Sequence, residues 1–216
     1  MIQTRPIIVF DSGIGGLSIY RPLKASLPDV AIIYLSDPNN FPYGDKSESW
    51  LTERFRVLAH EFQSYNPRLV VLACNTATTN VITELRANLK CKVVGVEPVI
   101  KPLAKYQRSL ALMTEAAADS AQTKHLLQSY GDYVTVFTPR GLAEAIEFNN
   151  IDQMKISIHE INQIVQKQNI QAIGLSCTHY PLILNEFKKV IKNVDFIDPA
   201  EAIVAQVGRM LESNGI

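Results

Sequence analysis

The chain has 216 residues, 47% of them hydrophobic, with 21 Lys plus Arg against 21 Asp plus Glu. That length suits two small lobes sharing a cleft, and that apolar share excludes a disordered chain. The balanced charge offers no electrostatic reason for nucleic acid or an anionic membrane as the main partner.

The opening MIQTRPIIVF does not read as a secretory signal, because its apolar stretch is only PIIVF and Asp11 ends it. PIIVF (6–10) reads as the first strand, and a helix follows over 16–26. Strands are then expected at 31–36, 68–73, 92–96, 109–113, 133–137, 170–175 and 194–197. Helices are expected between and after them at 47–65, 76–89, 116–130, 140–148, 153–168, 180–192 and 199–213. The strands are short, continuous and rich in Ile and Val, as strands covered by helices on both faces are. The alternation predicts an α/β protein with mostly parallel sheets. No apolar run approaches the roughly 18 residues that cross a bilayer, so no membrane segment is expected and the cytosol is the expected compartment.

Local chemistry marks several boundaries. Asp198-Pro199-Ala200-Glu201 offers a cap, a proline at the helix start and an acid in the first turn. Asp45-Lys46-Ser47-Glu48 is a similar capping box, and Asn66-Pro67 should close the preceding helix. The stretch 95–109, with two prolines, divides the chain. The expected organisation is an N-terminal lobe of 1–97 plus 198–216 and a C-terminal lobe of 98–197, two pseudo-symmetric doubly wound units facing a cleft.

Two segments repeat one design. VVLACNTATTN (70–80) and AIGLSCTHYPL (172–182) each end an apolar strand at a cysteine followed by small polar residues. A lone cysteine ending an apolar strand is usually packing. Two in matching contexts, one per lobe, point to a shared site instead. Ligands of doubly wound sheets sit beyond the carboxyl ends of strands. Helix N-termini there favour negative charge, which should lower a thiol pKa from about 8.5. Asn75, Thr76 and Thr178 stand ready to hold a substrate carboxylate. One reading is nucleophilic catalysis; its phosphatase version needs an arginine six residues on, where Asn80 and Ile183 stand. The other is two-base proton transfer, with one thiolate removing a proton from carbon and the other thiol delivering one to the opposite face. Cys91 lacks such a context and reads as packing or surface. No Cys-x-x-Cys or His-x-x-x-His pair suggests zinc.

FDSGIGGLS places Asp11, Ser12 and three glycines after the first strand. It departs from the dinucleotide fingerprint, since Ser18 stands where the third glycine belongs. The plain reading is a turn that needs glycine for backbone freedom. The functional reading puts Asp11 at the cleft, binding an ammonium group or orienting Cys74. Pro42-Tyr43-Gly44 leaves another strand end and should line the same pocket.

FDSGIGG (10–16), PYG (42–44), ACNTA (73–77) and CTHYPL (177–182), in this order, resemble the glutamate racemases of the aspartate/glutamate racemase family. IDPAEAIVAQV (197–207) resembles that family's closing segment. The resemblance implies an isomerase interconverting L- and D-glutamate for bacterial peptidoglycan, without pyridoxal phosphate or metal, and commonly dimeric. By position it implies Cys74 and Cys177 as the acid/base pair, the first serving D-glutamate and the second L-glutamate, with Asp11 and His179 assisting. It implies Ser12, Pro42, Tyr43, Gly44, Asn75, Thr76, Thr114 and Thr178 as the substrate shell. Three departures stand out. The second lobe is shorter than is usual in the family. Ala117 replaces the second threonine of a Thr-x-x-Thr segment. Thr138-Pro139 replaces Cys-Pro, leaving Glu147 or Glu144 as the equivalent of a family glutamate. The alternatives that they raise are an aspartate or other amino-acid racemase, and a weakened homologue with a binding or regulatory role.

Overall fold

The computed structural model describes residues 5–212; the lobe limits at 1 and 216, the helix end expected at 213 and the first four residues of the leader reading lie outside them. The first half of the chain runs β1 (Ile7–Asp11), α1 (Leu17–Ser26), β2 (Ile32–Ser36), α2 (Glu48–Ser64), β3 (Leu69–Leu72), α3 (Asn75–Asn88), β4 (Lys92–Gly95) and α4 (Ile100–Leu103). The second runs β5 (Ser109–Leu112), α5 (Glu115–Asp119), α6 (Ala121–Tyr130), β6 (Val134–Phe137), α7 (Leu142–Glu147), α8 (Ile151–Gln168), β7 (Ala172–Leu175), α9 (Leu184–Val190), β8 (Asp195–Ile197) and α10 (Ala200–Glu212). Two four-stranded sheets form, ordered β2-β1-β3-β4 and β6-β5-β7-β8. Every pairing is parallel. The expected α/β class with two equivalent sheets is what the chain adopts.

Period-two alternation explains the layers. Ile8 and Phe10 of β1 enter one core with Val70 and Leu72 of β3, while Ile7 and Val9 enter another with Leu69 and Val71. Helices α2 and α3 close the first core through Phe55, Phe62, Val81 and Leu85. Helices α1 and α10 close the second through Ile19, Leu23, Ile203 and Val207. In the second sheet, Leu110, Leu112, Ile173 and Leu175 pack on Ile146, Ile158, Ile161 and Phe187 of α7, α8 and α9. Ala111 and Ala172 leave the opposite face room for Ile100 and Leu103 of α4.

Each strand lies within two residues of its expected position. The differences lie in helices and caps. The helix expected over 116–130 breaks at Ser120, whose backbone is extended (ψ 147°) and whose hydroxyl accepts the Thr123 N–H to start α6. The helix expected over 180–192 opens as a tighter turn, Tyr180–Ile183, before α9. Ser47, not Asp45, caps α2, accepting the Trp50 N–H at 3.2 Å. Asp198 behaves as expected, accepting the Ala200 N–H at 2.7 Å. The dividing stretch is not merely linker, since it folds α4 with Ile100 and Leu103 buried.

Candidate active site

Parallel strands put their carboxyl ends at one edge of each sheet, and the two edges face each other. In register, Phe10 lies beside Leu72, and Leu112 beside Leu175. Two residues beyond each of these come Ser12, Cys74, Thr114 and Cys177. These four line one cavity together with Pro42, Tyr43, Gly44, Asn75, Thr76, Thr178 and His179. The cavity encloses only about 20 Å³. That is room for about one water, so the lobes are closed on each other. Phe41 and Ala143 also line it, and the sequence reading named neither.

Cys74 is the N-cap residue of the fourteen-residue α3 and is 5% exposed. Its Sγ lies 3.9 Å from Ser12 Oγ. The sequence predicts a thiol acidified by the helix N-terminus, and the structure overturns this. Burial pushes the Cys74 thiol well up, Asp11 pushes it further, and the Ala77 N–H opposes them only in part. Asp11 lies one layer behind the cavity wall, fully buried. It accepts the Gly13 N–H at 3.0 Å and the Thr178 hydroxyl at 2.9 Å. Burial raises its pKa, against the lowering influence of the His179 charge and of these two hydrogen bonds.

Cys177 has different company. Its Sγ lies 3.9 Å from His179 Nδ1, and His179 Nε2 meets Glu147 Oε2 at 2.7 Å. Burial alone would lower the imidazole pKa. Its contacts with Cys177 and Glu147, and the Asp11 charge, raise it to about 10. The ring is therefore held as imidazolium. Glu147 is lowered: burial opposes this, but the His179 contact and the Ile14 N–H, at 2.8 Å, outweigh it. Of the two candidates, Glu147 is the one that meets His179. Glu144 lines an adjoining cavity instead.

Several contacts lock the lobes together. Thr178 reaches Asp11, Ile14 reaches Glu147, Thr76 Oγ1 meets Thr114 Oγ1 at 2.8 Å, and the Ala116 N–H donates to the Gly44 carbonyl at 3.1 Å. The glycine-rich turn serves this closure, which corrects the reading of it as a turn needing special backbone freedom. Among the described residues only Gly141 has positive φ for a glycine. A Cβ on Gly13 would stand 2.3 Å from Glu147 Oε2, and one on Gly15 would stand 2.5 Å from His179 Nδ1 and Thr178 Oγ1. Glycine is needed there because the opposite lobe comes so close. Tyr34 adds a hydroxyl donated to the Gly13 carbonyl.

The Pro-Tyr-Gly loop is anchored by residues that the sequence did not single out. Tyr43 donates to Asp37 Oδ2 at 2.6 Å, and Arg54 grips both Asp37 oxygens at 2.7 and 2.9 Å. Phe41 packs on the His179 ring, with centroids 5.3 Å apart. Asn75 donates to the Val96 carbonyl at 3.0 Å, which leaves its buried Oδ1 without a hydrogen-bond partner. An unpaired buried acceptor of this kind suits a cationic donor such as an ammonium group. Cys91 is half-buried and packs against the α2–α3 core, away from the cavity. Among the described residues no group of His, Cys, Asp and Glu has the arrangement to hold a metal, and no helix is long and apolar enough to cross a membrane.

Known proteins resemble the chain over most of its length. The family model for Asp/Glu/Hydantoin racemase matches residues 14–207. A glutamate racemase of Aliivibrio fischeri (strain MJ11) is 38% identical over 216 residues, covering 97% of this chain and 82% of that protein. One from Brucella canis is 35% identical over 221 residues, covering 96% and 80%. Among solved structures, glutamate racemase from Francisella tularensis in complex with D-glutamate superposes with a TM-score of 0.85 at 27% identity, covering 98% of this chain and 82% of that one. Escherichia coli glutamate racemase, in complex with L-glutamate and the activator UDP-MurNAc-Ala, gives 0.83 at 30%, covering 96% and 83%.

Proposed function

Given that the chain belongs to the Asp/Glu/Hydantoin racemase family, we propose that it is a glutamate racemase working by proton transfer between Cys74 and Cys177. The observation that carries this reading is that both thiols, one from each lobe, line a single closed cavity. A ligand carbon held between them has one sulfur on each face. The sulfur facing the α-proton, as thiolate, removes it. The other, as thiol, protonates the opposite face, and the configuration inverts. After one turnover the two sulfurs have exchanged protonation states, and proton exchange with solvent resets them.

The surrounding residues divide the remaining work. Asn75 Oδ1 accepts from the substrate ammonium group. The hydroxyls of Ser12, Thr76 and Thr114, with the first amides of α3, hold carboxylate oxygens and take up charge as the carbanion forms, while the Thr178 hydroxyl lines the pocket and stays donated to Asp11. Pro42, Tyr43 and Gly44 form the wall that closing presses against the ligand, which keeps water out. Asp11 holds Cys74 as thiol, and His179, fixed by Glu147, keeps a positive charge beside Cys177. A cavity of about 20 Å³ cannot hold glutamate, so the lobes must part to admit it. Among the described residues the units that move are 5–97 plus 198–212 against 98–197, with the dividing stretch and Asp198-Pro199 as the crossings. D-glutamate made this way would serve peptidoglycan synthesis in the cytoplasm, and the exposed Phe148, Ile151 and Ile156 support a homodimer.

The test is incubation with L-glutamate in heavy water. D-glutamate carrying deuterium at the α-carbon is the expected product, with aspartate turned over more slowly. Faster turnover of aspartate would reassign the substrate. No inversion of either acid would refute the reading.

A further inference from the structure

Phe41 belongs to the first lobe, and its side chain packs against the second. The tight turn Pro38–Asn40 delivers it, and its own backbone is extended (ψ 144°). Asp37 braces the loop on both sides of it, accepting from Asn40 Nδ2 at 2.9 Å and from the Tyr43 hydroxyl at 2.6 Å. The half-buried ring between these two anchors packs on the core that includes Leu175, Cys177 and Tyr180. It also lines the thiol cavity. Two aromatic rings of the second lobe meet it: His179, with centroids 5.3 Å apart, and Phe148, at 5.9 Å and nearly perpendicular (82°). Phe148, largely exposed, follows directly on Glu147, so adjacent residues of one lobe hold His179 and meet Phe41.

Resting on the racemase reading above, we propose that Phe41 is a positioning residue that acts through His179, so that bringing the lobes together also fixes the imidazole beside Cys177. Within its own lobe the ring has one short contact and one long one, 2.7 Å to Glu147 and 3.9 Å to Cys177. A single short hydrogen bond lets a planar ring rock about it. An apolar body against the ring then decides where Nδ1 comes to rest, and small misplacements at a reacting group are costly. Phe41 is that body, and it is rigidly presented, because Asp37 ties down the chain before and after it. Since Phe41 and His179 stand on opposite lobes, their contact exists only when the lobes are together. Phe148 bounds Phe41 in turn, which gives an exposed aromatic residue at this point a task.

The test is a double-mutant cycle on racemisation, run from both enantiomers of glutamate. Phe41→Ala should lower kcat/KM about fivefold, a large part of the roughly tenfold expected from His179→Asn. In the His179→Asn background the same change should cost less than about twofold, because the group it acts through is gone. Its effect on kcat should also be larger in the same direction, L to D or D to L, as that of His179→Asn. Phe41→Leu, which keeps an apolar side chain, should fall between Phe41→Ala and the parent, and it carries the cycle if the alanine variant does not fold. Equal factors in both backgrounds would make Phe41 cavity wall alone. Coupling in urea unfolding without coupling in kcat/KM would make it fold packing alone. Either result, or an effect on kcat in the opposite direction, overturns the inference. A parent protein that racemises neither glutamate nor aspartate would instead refute the racemase reading, and that failure shows before any variant is made.

Discussion

Cys74 and Cys177 occupy the same place in two sheets of the same order, two residues past the ends of β3 and β7, and their surroundings differ in almost every respect. Cys74 caps a fourteen-residue helix, and the groups beside it are a hydroxyl and a carboxylate, Ser12 and Asp11. Cys177 enters a tight turn, and the group beside it is an imidazolium backed by Glu147. Residues at equivalent positions do different work: Thr76 lies two past Cys74 and His179 two past Cys177. The fold supplies symmetry in where the sulfurs point, and the side chains then break it electrostatically. The lesson is that a two-base site needs symmetric placement but not symmetric partners. L- and D-glutamate have equal free energy in water, so kcat/KM must be equal in the two directions whatever the partners are. The asymmetry is free to appear only in kcat and KM separately.

The largest effect should come from removing either sulfur. Cys74→Ala and Cys177→Ala are each expected to lose racemisation by about a thousandfold or more, since an acid or base in direct contact contributes on the order of 10²–10⁴. Each variant should keep deuterium exchange without inversion on one enantiomer only, L-glutamate for Cys74→Ala and D-glutamate for Cys177→Ala, read by chiral chromatography and mass spectrometry. If both variants exchange the same enantiomer, the assignment of opposite faces is wrong.

Closure should be next. Gly15→Ala places a methyl 2.5 Å from His179 Nδ1 and Thr178 Oγ1, side chains of the opposite lobe. Overpacking of this kind costs about 1–3 kcal/mol, and the resulting misplacement of the thiols should lower kcat/KM about a hundredfold. Loss of stability without loss of kcat would show that the lobes need not close this tightly.

The Cys177 side can then be tested through its imidazolium. His179→Asn is expected to lower kcat/KM about tenfold, equally in both directions, with the change in kcat larger in one of them. It should also change how stability depends on pH. The folded pKa of about 10 lies above the ordinary 6.5, so the stabilisation from the charged ring is complete below pH 6.5 and is lost as pH rises through about 10. Glu147 has the opposite sign: its lowered pKa contributes stability above 4.5 that is lost as pH falls through the folded value. Urea unfolding between pH 6.5 and 10 should therefore show the parent losing on the order of a few kcal/mol more than His179→Asn. Parallel curves would mean that the ring is not held charged.

How much of this was legible in the sequence follows the range of the interactions. The strand ends could be read because Ile-Val runs stop abruptly at Asp11, Cys74 and Cys177, and matched spacing tied the two thiols to one cleft. Whether Glu144 or Glu147 meets His179 could not be read, because it depends on which face the six-residue α7 turns to the other elements. The Arg54–Asp37–Tyr43 anchor joins residues of α2, the end of β2 and a loop, a pairing that no local pattern announces. The reason for the glycines cannot be read from the sequence, because φ is invisible there while glycine itself is not. Its role comes from a second lobe more than a hundred residues away, as the contacts of Gly13 with Glu147 and of Gly15 with His179 show. The helix expected from residue 180 runs through Pro181, where the chain instead makes a tighter turn whose first flanking residue, His179, lies 3.9 Å from the Cys177 sulfur.

The smallest effect isolates the Cys74 side, and its sign is the informative part. Asp11 is fully buried with a raised pKa, so the fold pays for its charge. Asn at this position keeps an acceptor for the Gly13 N–H and turns a donor toward Thr178, whose hydroxyl can accept in return. Asp11→Asn should therefore hold its place and stabilise the protein by about 1 kcal/mol, read by urea unfolding near neutral pH, while costing activity. Because Asp11 is, after burial, the next largest influence holding the Cys74 thiol protonated, removing its charge should shift the titration of that thiol to lower pH. Alkylation of Cys74 by iodoacetamide across the alkaline range, in a Cys91→Ala, Cys177→Ala background, reads this directly. An unmoved or upward shift would mean that burial alone sets the Cys74 thiol, and the electrostatic difference between the two sulfurs would then rest on His179 and Glu147 alone.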